Sequence, residues 1–408
     1  MSCIDSECRC PNPIVGAEVQ LTNSASETTF PVAAWNGTHL GVVYFEGDLD
    51  IGATTTDRGN AYFALLNPDG SRAVASDIAL TSFDPSDWTA GAVSFPPDIV
   101  WTGSEFGVVW SQLTEPTPGV YERQMVFQRL DANGGLLGPL VVLASSGSSN
   151  DGETAFPAIS WNPVYGGYAA VSTNAPAGYY RFARIGADGT FSEPPLQIPL
   201  TSAGPAEPVN GRIEIDVSPA GRWGFIMDVW SDIHLVRVDP DGTEYGRPEE
   251  VNGIEFTDGG DVVHDGTDWV TAWAEGAIRP NGLWINRGWT NNDPYELIPY
   301  VSGSQRTYEW VQLANGPDTV VEIGWAHREV SQYVHNFQMQ RFLPAADGTS
   351  AYRPITDVVD IVNTDAITLS GAVRLVHTGD DSLLALWAEE RAGQLDLFAA
   401  PIDPQACP

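Results

Sequence analysis

The sequence predicts an all-β fold, a seven-bladed β-propeller of four-stranded antiparallel blades, with its ring closed by the N-terminal strand. Three observations lead there. A unit of apolar strand, tight turn and second apolar strand recurs seven times along 408 residues. Most copies are followed by a third apolar run, a Gly-containing turn and a fourth short run, the order of strands in a propeller blade. No stretch carries the 3.6-residue periodicity of a helix longer than a turn or two.

The repeat is clearest in IVWTGSEFGVVWSQ (Ile99–Gln112), AAWNGTHLGVVYFE (Ala33–Glu46) and VVHDGTDWVTAWAE (Val262–Glu275). Looser copies begin at Ile159, Ile215, Val311 and Arg374. Their spacing of roughly 45–65 residues marks a repeat architecture. Third runs end in Asp/Asn-Gly-type turns such as NPDG (Asn67–Gly70) and DPDG (Asp239–Gly242). Glycine there supplies the positive φ of a tight hairpin. These turns lack the carboxylate number and distal Glu of a calcium loop.

Taken in order, residues 1–14 form a Cys- and Pro-containing leader, and residues 15–408 form the single propeller domain. VGAEVQLT (Val15–Thr22) resembles a fourth strand, whereas LDLFAAPID (Leu395–Asp403) is a third strand with none after it. The N-terminus therefore completes the last blade and removes a free edge. Long polar insertions lie at 48–60, 82–97, 114–123, 145–157, 201–211 and 327–336. TTDRGNAY (Thr55–Tyr62) matches the sialidase Asp-box only at Asp57 and Gly59, and it falls before a third strand rather than after one.

The net charge is −34, with 19 Arg and no Lys. Such a chain repels nucleic acid and anionic membranes, and the missing lysine excludes Schiff-base chemistry. No apolar run reaches the ~20 residues of a membrane helix. The four cysteines, Cys3, Cys8, Cys10 and Cys407, sit at the two ends. That placement points to disulfides and to an extracellular, periplasmic or cell-surface setting. The rival is a thiolate metal site, which the tight Cys8-Arg9-Cys10 spacing fits poorly. Any export signal would precede this chain.

In SPAGRWGF (Ser218–Phe225) the turn resembles the S-P-D-G turn of TolB-like propellers. The resemblance extends to the repeat logic of most of the chain. It implies a propeller, and it carries no function, because TolB-like blades serve scaffolds, peptidase gates and carbohydrate enzymes alike.

Loops entering the innermost strands and loops joining second to third strands share one face of a propeller. The second-strand ends should ring the channel mouth there. Glu46, Asp228, Glu275, His327 and Glu389 are thus candidate ligands for a divalent cation such as calcium, the one cofactor the sequence suggests. Trp88, Trp230, Tyr308, Trp310 and Tyr333 fall in expected loops and are candidate ligand-binding aromatics. His264 and His377 occupy the strand-end slot of Trp35, Trp101 and Trp161, where they either fill the core or meet across the channel. No nucleophile or nucleotide-binding motif is present. The leading reading is a monomeric binding module for a glycan or protein ligand. The alternatives are a carboxylate- or metal-dependent hydrolase or lyase acting on carbohydrate or another polymer, and a structural scaffold.

Overall fold

A computed structural model describes residues 2–4, 7–48, 58–84, 92–117, 119–146, 153–174, 179–191, 194–199, 213–229, 232–243, 249–250, 257–275, 282–288, 295–298, 306–316, 320–329, 335–344, 352–362, 367–379 and 382–404. The described residues form an all-β, antiparallel β-propeller built of small sheets. Set one comprises Glu27–Trp35, Leu40–Asp48, Arg58–Leu66 and Ile78–Ala79. Set two comprises Ala92–Trp101, Phe106–Thr117, Val120–Leu130 and Leu136–Ser146. A single bridge, Gly59 to Val93, joins these two sets into one sheet.

Set three is Glu153–Asn162, Gly167–Asn174, Tyr179–Gly186 and Leu196–Pro199, and set four is Glu214–Val217, Trp223–Val229, Asp232–Val238 and Glu249–Glu250. Set five is Thr257–His264, Trp269–Glu275, Leu283–Arg287 and Tyr295–Ile298, and set six is Arg306–Asn315, Val321–Glu329, His335–Pro344 and Tyr352–Pro354. Ile367–His377, Leu383–Arg391 and Gln394–Asp403 make the last set. Its outer partners come from the N-terminus: Ile14 and Val15 pair with Asp403 and Ile402, and Val19 and Gln20 with Ala399 and Phe398. Each first strand packs on the next, and the last packs on that of set one.

The core lies in the seams between sets, because alternate residues of each strand face opposite neighbours. In set four, Trp223 and Phe225 face set three, while Ile226 faces set five. The glycine of the F-G-V-V part of the repeat has a packing reason. A Cβ on Gly41 would lie 2.7 Å from the Phe106 ring, one on Gly107 2.5 Å from Tyr168, and one on Gly224 2.6 Å from Trp269. The first large residue of a second strand is thus seated on the glycine of the preceding set.

The N-terminal leader is not a free tail. Cys10 is buried with Val320, Leu343 and Ile355, and its N–H donates to the Ile355 carbonyl at 2.7 Å. Cys10 is disulfide-bonded. Cys3 and Cys8 face each other in register on a short hairpin. The side chains of Cys3 and Cys8, and all of Cys407, lie outside the described residues.

Candidate functional site in the central channel

The first strands line a central cavity of about 390 Å³. Aligned by their pairing with the second strands, the residues three places before Trp35, Trp101, Trp161, Val217, His264, Asn315 and His377 are Val32, Asp98, Ala158, Glu214, Asp261, Gln312 and Arg374. They share one level of the channel wall, and their chemistry divides in two.

Asp98 and Asp261 turn sideways. Asp98 accepts the Ile159 N–H at 2.8 Å, and Asp261 accepts the Leu313 N–H at 2.7 Å, each from the next set. Two residues further along its strand than Glu214, Asp216 does the same for the His264 N–H at 2.7 Å. First strands of neighbouring sets are not paired with each other, so these carboxylates satisfy backbone donors that would otherwise be orphaned. Burial pushes the Asp216 carboxyl up to about 6, against the hydrogen bonds from His264 and Val217, which favour the anion.

Glu214, Gln312 and Arg374 instead meet across the cavity. The Arg374 guanidinium donates to Gln312 Oε1 at 2.6 Å and to Glu214 Oε1 at 3.3 Å. Set four is thereby tied to sets six and seven over the channel. At the strand ends Trp35, Asn315 and His377 line the same cavity. His377 Nε2 lies 3.1 Å from Glu322 Oε2, and the buried Arg341 donates to Glu322 Oε1 at 3.1 Å. His264 does not meet it. The His264 ring packs edge-on against Trp269 at 4.9 Å, and its Nδ1 accepts the Gly266 N–H at 3.1 Å. Burial holds the His264 imidazole below its usual range, opposed by Asp265 and Asp268.

The mouth residues named from the sequence fare unevenly. Glu389 is fully buried; it accepts the Trp387 indole N–H at 2.9 Å and pairs with Arg391 at 2.7 Å. Gln112 accepts the Trp110 indole at 3.3 Å in the equivalent place, so the W-x-E/Q spacing secures a strand end. His327 is buried and Glu46 half-buried. Among the described residues no three His, Cys, Asp or Glu side chains converge as a metal-binding group. Asp228 and Glu275 lie on described strands, but their side chains are outside the described residues, as is that of Tyr308. Trp88, Trp230 and Tyr333 lie outside them entirely.

Tyr308 and Trp310 were expected in a loop and belong instead to the strand Arg306–Asn315. A bulge between Glu309 and Gln312 lets that strand run on. Trp310 sits in the bulge at φ 53°, and Phe30 and Phe156 occupy the matching places of sets one and three at φ 52° and 47°. Left-handed aromatics cost about 1 kcal/mol or more each. Trp310 is half-buried and packs into the seam with Val373 and Trp387. Sequence reasoning missed the bulges, the Glu214–Arg374 pair and Asp216. The D/E-x-x-strand-end spacing is visible for Asp98, Glu214 and Asp261, but nothing local says which carboxylate turns to a neighbour and which faces the channel.

No known protein family matches the chain, and no curated protein is similar to it in sequence. One solved structure shares its fold, and others are more distantly similar. A protein of unknown function from Dyadobacter fermentans superposes with a TM-score of 0.56 at 11% identity, covering 96% of this chain and 99% of that one. A neuraminidase-like protein of A/little yellow-shouldered bat/Guatemala gives 0.47 at 10% identity over 94% and 98%. The Trypanosoma rangeli sialidase gives 0.46 at 9% identity over 94% and 57%. At these identities the likeness concerns the fold alone, and the TolB-like turn gains no family assignment.

Proposed function

We propose that the chain is a seven-bladed propeller that acts outside the cytoplasm as a binding module for a glycan, held in the central channel. The observation that carries this reading is the Glu214–Arg374–Gln312 array on the wall of the cavity. Its volume lies within the ~300–1,000 Å³ of small-ligand pockets. Sugar hydroxyls donate and accept at once, and this wall offers both: Glu214 and Asp216 accept, while Arg374, Gln312 and Asn315 donate. Val32, Ala33 and Val376 give the apolar surface that C–H faces need. The disulfide at Cys10 supports an oxidising setting.

Calorimetry against the best hits of a glycan array tests it. Glu214→Gln is expected to weaken binding by about tenfold, the loss of one charge-assisted hydrogen bond, and Gln312→Leu by about fivefold, the loss of a neutral one. Unchanged affinity in both would refute channel binding.

One observation favours a second reading, a glycoside hydrolase. Asp216, pushed up to about 6, and Glu214 lie two residues apart on one strand, and carboxylates set apart by their surroundings are the acid and base of such chemistry. New reducing ends that appear with the wild type and vanish with Asp216→Asn would establish it. A divalent cation at the mouth remains a separate proposal. It expects a saturable calcium-specific rise in melting temperature that Glu275→Ala abolishes.

A further inference from the structure

A second cavity, of about 300 Å³, opens between sets four and five at the turn end of the strands, away from the channel. Arg222, Arg237, His264, Asp268 and Trp269 line it. Two guanidiniums and one carboxylate thus line one cleft in a chain of net charge −34, with a second carboxylate, Asp239, behind Arg222. The Asp268 Oδ1 already accepts the Trp269 N–H at 2.9 Å. Arg222 is braced by Asp239, Nε to Oδ1 at 2.9 Å, which fixes the direction of its guanidinium. His264 accepts from Gly266 through Nδ1, so the neutral ring carries its proton on Nε2 and is a donor there.

The seam behind the cavity is polar as well. Leu235 and Ile233 face set five, so Arg237, two places on, faces it too. Trp269 and Trp273 face set four, which puts Thr271 between them on that same face. Asn286 pairs directly with Thr271 across the strands, about 7 Å from the level of Trp269. Thr271 is 2% exposed and Asn286 1%. Among the described residues, neither the Thr271 hydroxyl nor either end of the Asn286 amide has a hydrogen-bond partner. Paired buried polar groups are the rule, and a pair of facing exceptions on one seam asks for a reason.

We propose that this cleft is a binding site for a small oxyanion, a carboxylate or a phosphate, gripped by Arg222 and Arg237, with the polar seam of Asn286 and Thr271 behind it. Planar guanidiniums match the oxygens of such anions two at a time. The site is independent of the channel and of any glycan bound there.

The test is calorimetric titration of the purified chain with sodium phosphate and, separately, sodium malonate, at constant ionic strength set by sodium chloride. One of the two should bind saturably with one site per chain and raise the melting temperature. Which one does so identifies the class of anion. Arg222→Gln, on a half-exposed side chain, should weaken that binding by about tenfold or more. Arg374→Gln, in the channel, should leave it unchanged. Shifts that follow ionic strength without saturation would overturn the proposal. So would binding that survives Arg222→Gln and is lost with Arg374→Gln, since the anion would then sit in the channel.

Discussion

Set four faces two neighbours, and the two seams it makes are built differently. Towards set three, Trp223, Phe225, Val236 and Val238 meet Ala169, Val171, Tyr180 and Phe182. The rings interlock: Phe182 lies 5.4 Å from Trp223 at 70° and 6.3 Å from Phe225 at 17°. Towards set five, the apolar cluster is Ile226, Ile233, Leu235, Val262, Trp269 and Trp273, with Thr271, Asn286 and Arg237 among them. Asp216 spans the same seam through the His264 N–H. One strand pair thus shows a mainly apolar, or dry, seam on one side and a more polar one on the other. Holding the ring together needs only the first kind. The second kind costs stability, because each unpaired buried polar group is worth about 1–3 kcal/mol, and function is the usual reason to carry that cost.

Breaking the dry seam should have the largest effect. Phe182→Ala removes a fully buried ring and leaves a cavity, at an expected loss of about 3–5 kcal/mol. Urea unfolding of the variant against wild type measures it. A loss below about 1 kcal/mol would mean that the two seams hold the ring equally loosely.

The next effect has the opposite sign. Burial pushes the Asp216 carboxyl up from the ordinary 3.8 to about 6. Between those values the folded state binds more protons than the unfolded one, so stability falls as pH rises from about 4 to about 6 and is flat beyond. At pH 7 the ionised carboxylate costs up to about 3 kcal/mol. Asp216→Asn keeps an oxygen for the His264 N–H and removes the charge. It should match wild type at pH 3.5 and be more stable at pH 7. An Asn variant that is less stable at pH 7 would show that the anion itself holds the polar seam.

This contrast explains what could be read in advance. The repeat was legible because it is local: strand, glycine turn and strand lie within 14 residues, as in Ile99–Gln112. Closure by the N-terminus was legible because a lone fourth strand at Val15–Thr22 complements a third strand at Leu395–Asp403. The site was not, because its partners are far apart in the chain. Glu214 meets Arg374 across 160 residues, and Asp216 meets His264 across 48. Glu389 reads as a mouth carboxylate, yet its indole and guanidinium partners bury it. Trp310 reads as a loop aromatic because a bulge cannot be seen in a strand's composition. In an acidic chain the carboxylates look alike, and only tertiary pairing separates those that join blades from those that face a ligand.

The smallest expected effect sharpens the comparison most. Thr271→Val and Asn286→Leu keep the approximate shape of the polar seam while removing its unpaired donors and acceptors. If that seam exists only to hold sets four and five together, both changes should stabilise the chain, by about 1 kcal/mol each, with no other consequence. If the polar groups serve the cleft, the same stabilisation should come with a smaller rise in melting temperature on adding the oxyanion. The seam with set three carries fewer such groups, the Trp223 indole N–H chief among them, so it serves as the reference for these two changes. Measured together, stability without ligand and the shift with ligand separate the two roles. A stabilised variant that still binds the anion as wild type does would assign Thr271 and Asn286 to packing alone and leave Arg222 and Arg237 to act unaided.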